Sequence, residues 1–139
     1  MVLVLFIAAC GRLPLTPTNT SYLAGSTWTL ILLEGEDLIE GARITLEFKE
    51  ENLSGSTGCN GYGGGFDGGK YADTNEHSLM VIPPFTVTVQ LCSEPEGIME
   101  QEATYIEALM NAASFRVLEN RLEINNGLGE TSLVFIENH

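Results

Sequence analysis

Only one stretch of this chain has the spacing of an amphipathic helix; nearly everything else reads as short β-prone runs broken by turn residues. Ile98, Met99, Ile106, Leu109 and Met110 recur at helical spacing, and Glu100, Gln101 and Glu107 are expected to face water. Ser93 is expected to cap this helix, with Glu96 as its capping-box partner and Pro95 in the first turn.

The remaining elements are expected to be strands. Thr27–Leu33 is rich in β-branched and aromatic residues, and Ile44–Phe48 alternates apolar with polar. Leu53–Asn60 reads as a strand running into a glycine-rich stretch, Gly61–Gly69, which is expected to form an irregular turn or bulge. Ser78–Ile82 and Thr86–Leu91 read as two strands separated by Pro83-Pro84, which lacks ladder donors. Phe115–Leu118 and Leu122–Ile124 suit a hairpin about Glu119-Asn120, and Ser132–Ile136 follows an Asn125-Asn126-Gly127 turn. Strands this close in sequence pair as antiparallel neighbours. The expected class is α+β: a curved antiparallel sheet or partly open β-barrel packed with one main helix.

A chain of 139 residues has room for one domain, and its 44% hydrophobic content suffices for a packed core. Nineteen acids against six Lys plus Arg give a formal net charge of −13. Such a surface repels phosphates and anionic lipid headgroups, which argues against nucleic-acid binding and against electrostatic adsorption to membranes. A cationic ligand or basic partner remains compatible with it.

The first nine residues include the uncharged run Val2-Leu3-Val4-Leu5-Phe6-Ile7. As a helix they would reach about 15 Å, half of a bilayer's hydrocarbon thickness, so they read as the end of an export signal. Ile7-Ala8-Ala9-Cys10 is similar to the lipobox of bacterial lipoproteins, in which that cysteine is acylated. No Lys or Arg precedes the apolar run, which departs from the usual pattern. Residues 10–22, with Pro14 and Pro17, read as an extended tether to a domain over 23–139.

With Cys10 assigned to the anchor, Cys59 and Cys92 form an even pair in an oxidising compartment. Either they bridge, closing a loop of about 34 residues worth roughly 3–4 kcal/mol, or they are two buried thiols. Catalytic and cofactor patterns are weak. Besides cysteine, His77 and His139 are the only imidazoles, too few for a zinc site. Asp67, Asp73, Asn75 and Glu76 do not have EF-hand spacing. Gly63, Gly65 and Gly68 satisfy G-x-G-x-x-G, and Gly64, Gly69 and Lys70 most of a P-loop, but Tyr71 replaces its Ser or Thr and no helix follows to meet phosphate. No nucleophile elbow is present, and paired acids carry no information in so acidic a chain. Trp28, Tyr62, Phe66 and Tyr71 are expected to be core or turn-packing aromatics. No enzyme activity, cofactor or metal is expected.

The order of these pieces resembles the META domain family (HslJ-like, bacterial lipoproteins). The resemblance is carried by Leu23–Leu30 with Trp28, by Ile44–Phe48, by Gly55-Ser56-Thr57-Gly58-Cys59-Asn60-Gly61-Tyr62 with Gly64, and by Thr88-Val89-Gln90-Leu91-Cys92. It continues through Glu100, Glu102, Tyr105, Leu109, Phe115, Leu122 and Leu133 to Phe135. It implies an envelope-associated or secreted domain linked to stress tolerance, with no established enzymatic activity; combined with the export signal and the weak catalytic patterns, the expectation is a non-enzymatic envelope lipoprotein that binds an envelope protein or small hydrophobic ligand and is held to the membrane through Cys10. Two alternatives stand beside this: a purely structural envelope domain, and an envelope hydrolase using a carboxylate pair.

Overall fold

The computed structural model describes residues 23–68 and 76–139. Along the chain run β1 (Thr27–Leu33), β2 (Glu36–Asp37), β3 (Thr45–Lys49), β4 (Asn52–Ser56), β5 (Gly61–Gly68), β6 (His77–Val87), α1 (Ile98–Met110), β7 (Ala112–Leu118), β8 (Arg121–Asn126) and β9 (Thr131–Glu137). The strands pair antiparallel in the order β1-β3-β4-β5-β6-β7-β8-β9, and β9 returns to β1, with β2 appended to the end of β1. The result is a closed eight-stranded antiparallel β-barrel with one helix.

Closure corrects the expected curved sheet or partly open barrel. Thr131–Glu137 bonds on both sides, to β8 and to Trp28–Leu33 of β1, so the sheet has no terminal edge there. That pairing joins residues about a hundred positions apart, and no local pattern encodes it.

Alternation along each strand sends one row of side chains inward. Trp28 and Leu30 of β1, Leu46 and Phe48 of β3, Leu122 and Ile124 of β8, and Leu133 and Phe135 of β9 are buried in one core cluster. Phe48 and Phe66 meet edge to face at 4.9 Å, and α1 adds Tyr105, Ala108 and Leu109 from one end. The interior is therefore filled with side chains.

Three further expectations change. The glycine run is mostly strand: Gly61–Gly68 pairs with β4 and β6, and the expected bulge shrinks to a register shift between Gly63 and Gly65. Gly69 lies outside the described residues. A Cβ on Gly64 would stand 2.9 Å from the Phe85 ring, so glycine is what lets Phe85 pack over the bulge. The strand from Leu53 ends at Ser56, and Thr57–Asn60 is a turn.

Pro83-Pro84 does not divide two strands but sits within β6, opposite the bulge. It is tolerated because, among the described residues, β6 pairs with β7 through His77 and Ser78 alone, and these prolines face no ladder partner on that side. Thr88–Leu91 then continues past the end of β6.

The helix begins at Ile98, with Gly97 as N-cap at φ 86° and no side-chain cap, rather than at Ser93 with the Glu96 capping box. Pro95 precedes the helix, and its carbonyl accepts from the Ile98 N–H. Ile98, Gln101, Glu102, Tyr105, Ala108 and Leu109 form the buried face. Met110 of the expected core stripe is exposed, and Gln101, expected in water, is buried with its Oε1 accepting from Ile39 N at 2.8 Å.

Candidate functional site

The helix closes one end of the barrel over a polar cluster built from the β4–β5 turn. Gly58 makes that turn possible: its φ is 95°, and a Cβ there would press on Ile98 at 3.1 Å. The turn is closed by Thr57 N donating to Asn60 O at 2.8 Å, and it delivers Thr57, Cys59 and Asn60 beneath the helix.

Glu102 is the centre of this cluster although it is only 8% exposed. Its Oε1 accepts from Asn60 Nδ2 at 2.8 Å, and its Oε2 from Asn60 Nδ2 at 3.0 Å and Thr57 Oγ1 at 2.9 Å. Thr57 Oγ1 in turn accepts from Asn60 N at 2.8 Å. A hydroxyl has one proton to give, and the carboxylate is a stronger acceptor than the Asn60 carbonyl also within its reach.

Asn60 is itself saturated. Its Oδ1 accepts from Thr88 Oγ1 at 2.9 Å and Gln90 N at 2.7 Å, while its Nδ2 also reaches Gln90 O at 3.1 Å. This one amide joins its own turn to two other segments, the residues after β6 and the helix. Beside it Cys59 and Cys92 are joined by a disulfide with Cα atoms 5.9 Å apart. The bond fastens the turn to the segment that leads into α1.

Below the cluster lie two buried phenols. Tyr62 donates to Thr45 O at 2.6 Å, so the 2.6 Å contact between the two hydroxyls has Tyr105 as donor. Burial holds both phenols well above the usual tyrosine range; for Tyr62 the bond from Tyr105 partly opposes it, and for Tyr105 the nearby Tyr62 adds to it. Gly55 is needed here, because its Cβ would fall 2.0 Å from Thr45 O and 2.7 Å from the Tyr62 hydroxyl.

The sequence-derived residues therefore divide. Gly55, Gly58, Cys59, Asn60, Tyr62, Thr88 and Cys92 come together at the helix end. Trp28 does not; it is a core residue whose Nε1 donates to Ser26 Oγ at 2.7 Å. Phe66 is core as well. Cys10, the signal segment 1–9, the tether 10–22 and Tyr71 lie outside the described residues, as do Lys70, Asp73 and Asn75.

Gly63, Gly65 and Gly68 belong to β5 and so form no phosphate loop. Asp67 is exposed, and Glu76 is bonded to Ser114 and Asn125, which with the nearby positive charge of Arg116 hold its carboxyl below the usual range. Among the described residues no group of three metal-ligating side chains converges.

Thr57, Gln90 and Glu102 belong to the stretches that carry the family resemblance, but nothing in the sequence assigns them a role. The signal for Glu102 was spacing: Ile98, Glu102, Tyr105 and Leu109 recur at intervals of four, three and four, which places the carboxylate on the buried face. Nothing local pointed to a cleft of 780 Å³ between α1 and the β8–β9 turn, lined by Glu34, Glu107, Asn111, Asn126 and Leu128 among others.

The family model of the META domain matches residues 21–139. The chain belongs to the META domain family. This META domain also resembles two structures solved by NMR. One, a protein from Burkholderia xenovorans, is 23% identical with a TM-score of 0.62, the match covering 99% of each chain. The other is 22% identical with a TM-score of 0.58 over 88% of this chain and 94% of that one. At such identity the likeness concerns the fold. No curated protein matches the chain.

Proposed function

We propose that this META domain is an exported, HslJ-like envelope lipoprotein, anchored through acylated Cys10, that binds a partner on its outer surface and supports stress tolerance without catalysis. The observation that carries the reading is the Cys59–Cys92 bond, because a structural disulfide persists in an oxidising compartment and is reduced in the cytosol. The apolar run ending in Ile7-Ala8-Ala9-Cys10 supports export and acylation.

Binding is assigned to the outside because Phe48, Phe115, Phe135 and Tyr105 are fully buried where an enclosed ligand would sit. The small hydrophobic ligand is accordingly the weaker option, and an envelope protein the stronger. Glu102 supports a non-catalytic reading, since its carboxylate is engaged by Thr57 and Asn60.

The test is fractionation of bacteria expressing the full chain, with mass spectrometry of the N-terminal peptide. An acylated Cys10 in the membrane fraction, and release of Cys10→Ala into the soluble extract, is the expected result. An unacylated wild-type chain that is soluble and reduced in the cytosol would contradict the reading.

A further inference from the structure

Beyond Val87, where β6 ends, the segment Thr88–Cys92 is bonded along one side. On that side Thr88 N donates to Gly61 O at 2.9 Å, Gln90 N to Asn60 Oδ1 at 2.7 Å, and Cys92 N meets Met99 Sδ at 3.5 Å. Gln90 O accepts from Asn60 Nδ2 at 3.1 Å. The Asn60 carboxamide therefore takes the place of a peptide unit in a neighbouring strand, donating to one group of Gln90 and accepting from the other.

Val89 and Leu91 stand between these anchored positions. In an extended chain their N–H and C=O groups face the opposite way. None of those four groups makes a hydrogen bond among the described residues. β7 does not cover them, since its pairing with β6 involves only His77 and Ser78. The two residues are 96% and 92% exposed, far above Ile31 or Ile82.

Native proteins usually blunt a free apolar edge with charge, proline or cover, because it invites strand pairing. Here the edge is instead held open and rigid, by Asn60 at its middle and the disulfide at its end. Free backbone groups beside alternate apolar side chains are complementary to one thing: another extended backbone.

We infer that the Val89–Leu91 edge is a strand-addition site for an extended peptide with apolar side chains at alternate positions and flanking Lys or Arg. The basic flank follows from charge. Glu94, Glu96 and Glu100 are exposed just beyond the edge on a chain of net charge −13. Two copies, each of net charge −13, would repel on meeting edge to edge, whereas a cationic segment is attracted. The inference rests on the reading of the domain as a partner-binding module and is independent of the Cys10 anchor.

Backbone pairing dominates recognition of this kind, so a generic probe serves. The experiment titrates the oxidised, isotope-labelled full chain with acetyl-Lys-Thr-Val-Thr-Val-Thr-Lys-amide and with the same peptide N-methylated at both valines. The expected result is shifted and exchange-protected amides at Val89 and Leu91. Binding should weaken at least about ten-fold for the N-methylated peptide, as loss of two backbone hydrogen bonds implies. The V89S/L91S double variant, which removes both apolar side chains without adding charge that would attract the lysines, should weaken it several-fold at unchanged Tm, both residues being in water.

Equal binding of the N-methylated peptide, shifts centred on Leu128 in the cleft, or no binding at millimolar peptide would overturn the inference. So would a dimer abolished by V89S/L91S, which assigns the edge to a second copy. Partition of the wild type, but not that variant, into phosphatidylethanolamine and phosphatidylglycerol vesicles would assign it to lipid and overturn it equally. A soluble, unacylated protein that still binds the peptide would leave this inference standing while removing the anchor.

Discussion

The barrel wall and the helix end are built from different materials and are expected to fail differently. In the wall, Leu122, Ile124, Leu133 and Phe135 are buried among other apolar side chains, where volume and shape decide stability. At the helix end Glu102, Asn60 and Thr57 are nearly as buried, but each is held by directional bonds. A wall made of hydrocarbon accepts a substitute of the right size. A cluster of matched donors and acceptors does not, because a buried group deprived of its partner carries its full desolvation cost.

The sharpest test of the contrast sets wall substitutions against each other. Leu122→Ala should lower unfolding free energy by about 2–5 kcal/mol in urea, whereas Leu122→Met should cost under about 1.5 kcal/mol. Comparable losses from both would mean the wall is not governed by volume.

Removal of the disulfide by Cys59→Ser with Cys92→Ser comes next. The closed loop implies a loss of roughly 3–4 kcal/mol. Amide hydrogen exchange should rise first between residues 88 and 97, which the bond ties to the turn. Uniform acceleration around the barrel would show that the bond does not act on the helix end alone.

Glu102→Gln conserves shape and replaces one accepting oxygen with a donor. The new amide nitrogen is satisfied only by donating to Thr57, whose proton then turns to the Asn60 carbonyl; charge-assisted bonds become neutral ones, and the expected loss is about 1–2 kcal/mol. An unchanged urea midpoint would place the cluster on the same footing as the wall.

Alkaline pH probes the phenols under the helix. Their folded pKa values are raised above 10, so their contribution is complete below that pH and is lost as pH climbs, when the unfolded chain sheds protons the fold retains. The decline should approach about 1.4 kcal/mol per pH unit for each phenol. Tyrosinate absorbance should show Tyr62 and Tyr105 ionising only with unfolding; titration of all four tyrosines near pH 10 in the native state would contradict their burial.

Glu76 offers the smallest effect, in acid. Its folded pKa is lowered, chiefly by the Ser114 bond and then by Asn125, so its contribution is present at neutral pH and disappears as pH falls through the folded value. Ser114→Ala should move the carboxyl titration, followed by NMR, upward; an unmoved midpoint would remove Ser114 as the cause.

What the sequence disclosed follows the same division. Thr27–Leu33, the Glu119-Asn120 hairpin and Thr131–Glu137 were legible because alternation and turn residues act locally. Closure of β9 on β1 and the strand character of Gly61–Gly68 were not, since each depends on a partner far along the chain. The glycines there serve close approach, as Gly55 does for Tyr62 and Gly64 for Phe85, and composition alone reads such density as a loop. The helix start was misplaced because Ser93-Glu94-Pro95-Glu96 satisfies the capping pattern while the chain bends later, at Gly97. The site was half legible: cysteine parity singled out Cys59 and Cys92, but the partners of Asn60 became visible only when three segments were brought together.

The central claim is that the Gly-Cys-Asn turn is covalently fastened to the segment entering the helix, as the proposed export to an oxidising compartment requires. It is tested most directly by alkylating the chain as it is extracted from its native host under non-reducing, denaturing conditions, then measuring the peptides containing residues 59 and 92 by mass spectrometry. The account predicts one cross-linked peptide pair with neither thiol alkylated. Recovery of both peptides separately, each carrying the alkyl group, would contradict it.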